Sequence, residues 1–245
     1  MKFIWNHAYF LMILTALAWS GNGITGRGLN DIIPPIGLAF WRWVVALPIV
    51  MLIAWPHLRR DLPQVRENWP ILLILSILSI TAYNTFLYYG LVTTTAINAL
   101  LINTSRPAVI VLLSILFFRQ GITLKQSLGF LLAFIGTIEI IIKGEVSRLI
   151  SLEFNDGDLW VLAAMFCWAL FTVLLRKQPN IHPTSFVAFT IFFGALLLFP
   201  FYIWETLFIK PTPFVIETVA GVLYLAIFAT IMAYLFYNRA VEIAG

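Results

Sequence analysis

The chain has 245 residues, of which 61% are hydrophobic and only 11% are charged. A soluble domain carries about 25% charged residues, so this composition excludes a water-soluble globular protein and indicates one that lies in lipid. The formal net charge of +4 comes from scattered Lys and Arg residues, never more than two in a row, which excludes a nucleic-acid-binding surface.

Eight apolar segments are long enough to cross a bilayer, which takes roughly 20 residues of helix. In chain order they are residues 8–25, 34–55, 70–90, 96–118, 123–142, 157–175, 184–205 and 215–238. Short polar connections such as 56–69 and 143–156 separate them. Because lipid offers no hydrogen-bond partner to an open backbone, each span is expected to be a helix. We predict an all-α, polytopic helical membrane protein surrounded by the lipid bilayer.

Basic residues are distributed unevenly between the two sets of connections. If the N-terminus is cytoplasmic, nine lie on the inside: Lys2, Arg59, Arg60, Arg66, Arg119, Lys125, Arg176, Lys177 and Arg239. Four lie outside: Arg27, Lys143, Arg148 and Lys210. Cytoplasmic loops carry an excess of Lys and Arg. This predicts a multi-pass protein of the cell (inner, cytoplasmic) membrane with its N-terminus in the cytoplasm.

An internal repeat relates the two ends of the chain. A shift of 149 residues pairs Trp19 with Trp168, Arg27 with Arg176, Pro34 with Pro183 and Trp55 with Trp204. The first unit, residues 1–147, contains five spans, and an odd number makes the second unit enter the membrane from the opposite side. The pattern therefore predicts an inverted-topology repeat, the architecture of many secondary transporters.

The second unit, residues 148–245, contains only the first three spans of the repeat. Counterparts of residues 96–142 would follow Gly245. We expect the sequence to be a partial one; the alternative is that a second chain, or a second copy in a homo-oligomer, supplies the missing pair.

Four stretches resemble one known family. They are GDLWVLAAMFCWALFTVLLRK at 157–177, ALAWSGNGITGRGL at 16–29, PPIGLAFWRWVVA at 34–46 and AYLFYNRAVEIAG at 233–245. They are similar to the corresponding helices of EamA-type transporters of the drug/metabolite transporter superfamily, which have ten helices in two inverted repeats. The resemblance implies a secondary transporter for transport or efflux of small organic solutes, such as amino acids, related metabolites or drugs.

The fourth span contains the polar stretch NTSRPAV at 103–109. An Arg at the bilayer centre costs about 2.5–3.5 kcal/mol on insertion scales, so it normally faces the bundle interior or water. Pro107 also leaves the carbonyl of Asn103 without its usual partner. We predict a discontinuous helix in which Asn103 and Arg106 line a substrate cavity. The alternative is a structural bond between helices.

Other candidate cavity residues are aromatic or amide side chains within spans. Trp19 and Trp168 are repeat-related and far from the interfaces where Trp usually collects, so they are predicted to bracket a substrate. Asn22 lies on roughly the same side of its helix as Trp19. The third span adds Tyr83, Asn84 and Tyr88. Ordinary helix packing is the alternative for each, and for Arg42 a structural pairing is expected.

Signatures of catalysis or of a cofactor are not evident in the sequence. His7, His57 and His182 lie in loops or at span edges, and neither a P-loop nor a dinucleotide motif occurs. With Cys167 as the single cysteine, a multi-cysteine metal site is excluded. We expect no catalytic, cofactor or metal site and no enzyme activity. Two alternatives to a transporter remain: a truncated, non-transporting remnant of the family, and an integral membrane enzyme or lipid-handling protein.

Overall fold

The computed structural model of the chain describes residues 5–119, 123–129, 131–132, 135 and 156–244. Within these ranges the backbone forms helices joined by turns and bends, without a strand. In chain order the helices are α1 (Ala8–Leu29), α2 (Pro35–Glu67), α3 (Trp69–Thr93), α4 (Ala96–Thr104), α5 (Arg106–Phe118), α6 (Asp156–Leu174) and α7 (Pro183–Phe208). α8 consists of three consecutive segments, Ile216–Tyr224, Leu225–Met232 and Ala233–Ala244.

The prediction of a polytopic helical membrane protein is confirmed. Among the described residues, six helices are long and apolar enough to cross a membrane: α1, α2, α3, α6, α7 and α8. Large apolar side chains are exposed on their outer faces, as on Leu52 (73% exposed) and Phe208 (74% exposed). Lipid covers such surfaces at no cost, because its hydrocarbon tails are as apolar as the side chains. Half of the predicted fifth span, 123–142, lies outside the described residues.

One predicted connection is helical instead. The polar connection predicted at residues 56–69 is largely helical, because α2 continues to Glu67 through Pro56 and Pro63. A proline within a helix removes one hydrogen bond and crowds the carbonyl four residues earlier, but the residues between the two prolines are mostly good helix formers.

The fourth span is interrupted, as predicted from NTSRPAV. α4 ends at Thr104 and α5 begins at Arg106, with Ser105 between them. Three side chains around the break donate to carbonyls of the preceding turn: Asn103 Nδ2 to Ala99 at 2.8 Å, Thr104 Oγ1 to Leu101 at 2.6 Å and Ser105 Oγ to Ile102 at 3.0 Å. Local hydrogen bonds therefore fix the polar groups at the break.

α3 and α8 each contain a π-helical stretch, Ile77–Ala82 and Leu225–Met232. The two stretches start at Ile77 and Leu225, about 148 residues apart, which is close to the shift of the repeat predicted from the sequence. π-Helical turns are rare in proteins, and those that occur are often found at functional sites. Asn84, just after the first stretch, donates to the carbonyls of Ser79 and Ile80, both at 3.1 Å.

α2 and α7 pack against each other in antiparallel orientation, and a carboxylate joins them at each end. Glu205, near the end of α7 and 1% exposed, accepts the N–H groups of Ile36 at 3.1 Å and Gly37 at 2.6 Å. Asp61, near the end of α2 and 5% exposed, accepts the N–H of His182 at 3.0 Å. The first N–H groups of a helix have no partner within it. Each helix thus supplies the acceptor for the start of the other.

Candidate functional site

A cavity of about 380 Å³ lies between α1, α2, α3, the α4–α5 break, α6 and α8. All predicted site residues except Tyr88 line it: Trp19, Asn22, Tyr83, Asn84, Asn103, Arg106 and Trp168. The structure therefore brings together residues from four separate predicted spans. Tyr88 is buried and does not line the cavity. It donates a hydrogen bond to Asn22, a lining residue, at 2.7 Å.

Arg42 is the centre of the polar side of the cavity. It is only 2% exposed, and its Nη1 donates to Asn22 Oδ1 at 2.9 Å, Asn84 Oδ1 at 3.1 Å and Tyr88 Oη at 2.7 Å. Its Nε and Nη2 donate to Thr230 Oγ1 at 3.2 and 2.8 Å. One guanidinium thus connects helices α1, α2 and α3 with the π-helical stretch of α8.

The groups around Arg42 are neutral. Its hydrogen-bond donors are satisfied by amide and hydroxyl oxygens, but among the described residues none of its partners is a carboxylate. The adjacent Trp43 ring, with its centroid 4.7 Å from Cζ, adds a cation–π contact. The expected structural pairing of Arg42 is therefore a set of hydrogen bonds to neutral oxygens, and no carboxylate in the described part of the chain pairs with its positive charge.

Arg106 lies at the start of α5 and is half-buried. Its Nη2 donates to Asn103 Oδ1, and its Cζ lies 6.0 Å from the Tyr83 ring centroid and 5.8 Å from that of Trp168. Nε is buried without a hydrogen-bond partner among the described residues. Arg106 thus lies beside two of the aromatic residues predicted to share the cavity with it.

Trp19 and Trp168 contact each other directly. Their ring centroids are 5.4 Å apart in an edge-to-face arrangement, and Tyr234 contacts both rings at 6.4 Å. The expectation that the two tryptophans stand on either side of a substrate is not met, because rings in contact leave no gap. The three rings instead form one wall of the cavity.

A second cavity of about 530 Å³ lies on the other side of this wall. It is bounded by the C-terminal part of α6, the N-terminal part of α7 and the last segment of α8. Trp168 and Tyr234 line both cavities. An aromatic partition thus separates two cavities in opposite halves of the helix bundle.

Sequence reasoning missed Arg42 and Tyr234 as cavity residues. For Arg42 a signal existed, because an Arg within a span faces the bundle interior; only its position relative to α3 and α8 was unknown. Tyr234 had a weaker signal, since it is one of many aromatic residues within the spans.

Comparison with known proteins gives consistent matches. The model of the EamA-like transporter family matches residues 6–142 and again residues 155–245. An uncharacterized transporter of Archaeoglobus fulgidus is 34% identical over 239 residues, covering 96% of this chain and 80% of that protein. The uncharacterized transporter YyaM of Bacillus subtilis is 27% identical over 214 residues, covering 86% of this chain and 70% of its own. A solved crystal structure with 20% identity aligns with a TM-score of 0.69 over 96% of this chain and 78% of that one, so the two share a fold.

Proposed function

The chain belongs to the EamA-like transporter family, and we propose that it carries small organic solutes across the membrane through the cavity lined by Arg106. What supports this most is the burial of polar side chains from four spans around one space in the middle of an otherwise apolar bundle. Polar groups within spans are expensive and mark substrate or ion pathways. The volume of about 380 Å³ lies within the usual range for small-molecule sites.

Transport proceeds by alternating access between the two cavities. The partition formed by Trp168 and Tyr234 closes the path in the present conformation, and movement of that partition opens the cavity to the opposite side. The units 1–147 and 148–245 act as inverted repeats that rock against each other around this point, as in other secondary transporters. The corresponding π-helical stretches of α3 and α8 favour this relationship.

The protein lies in the cytoplasmic membrane with its N-terminus inside. This orientation follows from the excess of Lys and Arg in the connections assigned to the cytoplasm. It places the cavity of Arg106 towards the outer half of the bilayer and the second cavity towards the cytoplasm.

Two other functions remain as alternatives. A non-transporting remnant of the family would keep the fold and lose flux. A membrane enzyme or lipid-handling protein would need a cluster of ionisable groups at one depth, whereas the part of the cavity wall that the structure describes has two arginines and no acid.

The test is solute flux through the purified chain in liposomes. Vesicles loaded with single amino acids, organic acids and small aromatic compounds are diluted into labelled solute, and counterflow is followed. Accelerated counterflow of at least one solute over protein-free vesicles is expected. Its absence for every solute, with protein that is folded and inserted, would favour the remnant.

A further inference from the structure

We propose that the ligand of the Arg106 cavity is an organic anion, a carboxylate or phosphate group attached to an apolar or aromatic body. This inference deepens the proposed function, since it names the substrate class of the same cavity. It depends on the charges and free donors of the described residues that line the cavity.

Some hydrogen-bond donors of Arg106 have no partner among the described residues. Of its guanidinium nitrogens only Nη2 donates to a described residue, Asn103, and the buried Nε has no partner there. A guanidinium presents its donors in a planar fork that matches the two oxygens of a carboxylate or phosphate. The adjoining rings of Tyr83 and Trp168 lie together on one side of the guanidinium, with centroids 6.0 and 5.8 Å from Cζ and 4.8 Å from each other.

Arg42 adds a second positive charge to the same cavity. Its donors are occupied by Asn22, Asn84, Tyr88 and Thr230, so it is not expected to contact the ligand directly. Its charge is balanced by no described acid, however, and in a low-dielectric bundle it raises the potential throughout the cavity. A ligand that enters with a negative charge supplies the missing counter-ion.

The other residues of the cavity wall determine which chemical groups the rest of the ligand can carry. None of the described lining residues is Asp or Glu, so a ligand's ammonium group would meet two arginines and no carboxylate. Trp19, Tyr83, Trp168 and Tyr234 provide apolar ring faces. A free amino acid is therefore expected to bind less tightly than the acid of the same carbon skeleton without the amino group.

The test compares probes of one skeleton and different charge. The purified full chain in lipid nanodiscs is titrated with 3-phenylpropanoate, 2-phenylethyl phosphate, 3-phenylpropanamide, 3-phenylpropylamine and phenylalanine. Quenching of tryptophan fluorescence reports binding, because Trp19 and Trp168 line the cavity. At least one anion is expected to bind about tenfold or more tighter than the amide, the amine and phenylalanine. The ratio of carboxylate to phosphate affinity identifies the preferred head group.

Substitution of Arg106 checks the location. Arg106→Gln is expected to lower anion affinity about tenfold and leave amide affinity unchanged, while Arg106→Lys retains part of the preference. Equal affinities for amide and anion, tighter binding of the amine, or no binding of either anion would overturn the proposal. So would an anion preference that survives in Arg106→Gln protein whose thermal midpoint is unchanged.

Binding and flux can fail separately. Anion-selective binding without counterflow would retain this inference and contradict the proposed transport. Counterflow of an amine or a neutral solute, without anion binding, would retain transport and contradict this inference.

Discussion

Arg42 and Tyr88 bind the same oxygen, Asn22 Oδ1, at 2.9 and 2.7 Å, and are joined to each other at 2.7 Å. The triangle connects three helices through side chains that are all buried. It fixes the side chain of Asn22 at the edge of the cavity, so the integrity of the cavity and the stability of the fold depend on the same hydrogen bonds.

Tyr88→Phe is expected to destabilise the protein by about 1.5–3 kcal/mol, since it removes a hydrogen bond to a charged donor and leaves Asn22 without a second one. The measurement is the thermal midpoint of the purified protein in detergent. Tyr89→Phe is the control, because the half-buried Tyr89 contacts Trp160 through its ring. Equal midpoints for the two variants would show that the triangle contributes little.

Glu205→Gln is expected to lower the free energy of unfolding by about 1–3 kcal/mol. The amide keeps one acceptor oxygen, but its NH₂ group then faces one of the N–H groups of Ile36 and Gly37 that the carboxylate accepts. Glu217→Gln provides the same chemical change on an exposed residue of α8, and surface changes are usually within about 0.5 kcal/mol. A Glu205→Gln protein as stable as the Glu217→Gln protein would contradict a stabilising role for this contact.

Two glycines of α1 are expected to respond oppositely to alanine. A Cβ at Gly26 would lie 2.9 Å from the Tyr88 ring, whereas a Cβ at Gly23 meets nothing within 4 Å and enters the cavity. Gly26→Ala should destabilise by about 1–3 kcal/mol through overpacking, while Gly23→Ala should be neutral or gain up to about 1 kcal/mol of helix propensity. Thermal midpoints of both variants decide this; a harmless Gly26→Ala would mean that Tyr88 can move aside.

The aromatic partition predicts that each cavity is reached from one side of the membrane. In a Cys167→Ser background, Ser20→Cys lies in the first cavity and Thr172→Cys in the second. A membrane-impermeant thiol reagent is expected to label Ser20→Cys from outside intact cells and Thr172→Cys only in inverted vesicles. Labelling of both positions from the same side would contradict the separation and the proposed orientation.

The spans and the polar residues within them can be predicted from the sequence, but the contacts between the spans mostly cannot. Apolar length was enough for the six long helices, and the burial cost of a charge in lipid was enough to single out Arg106. The repeat shift indicated that Trp19 and Trp168 are related. Their direct contact depends on the distance between helices, and the hydropathy pattern does not determine that distance.

The hydrogen bonds between residues far apart in the chain could not be predicted from the sequence. Glu205 accepts hydrogen bonds from residues more than 160 positions earlier. Its position near the end of a predicted span does not indicate this contact. Arg42 donates to Thr230, which lies in the π-helical stretch of α8. A π-helical turn has no simple sequence signature, so this half of the Arg42 site could not be predicted.

Counterflow through liposomes containing equal amounts of wild-type, Arg106→Ala and Arg66→Ala protein tests transport through this cavity most directly. Arg66 is exposed near the end of α2, so its substitution controls for loss of a positive charge. Wild-type and Arg66→Ala proteins are expected to show similar flux. Arg106→Ala should lose about tenfold in flux or change its solute selectivity, while membrane expression and thermal midpoint fall far less. Equal flux and selectivity in all three proteins, or a loss of flux in Arg106→Ala that only matches its loss of expression, would contradict passage of the solute through this cavity.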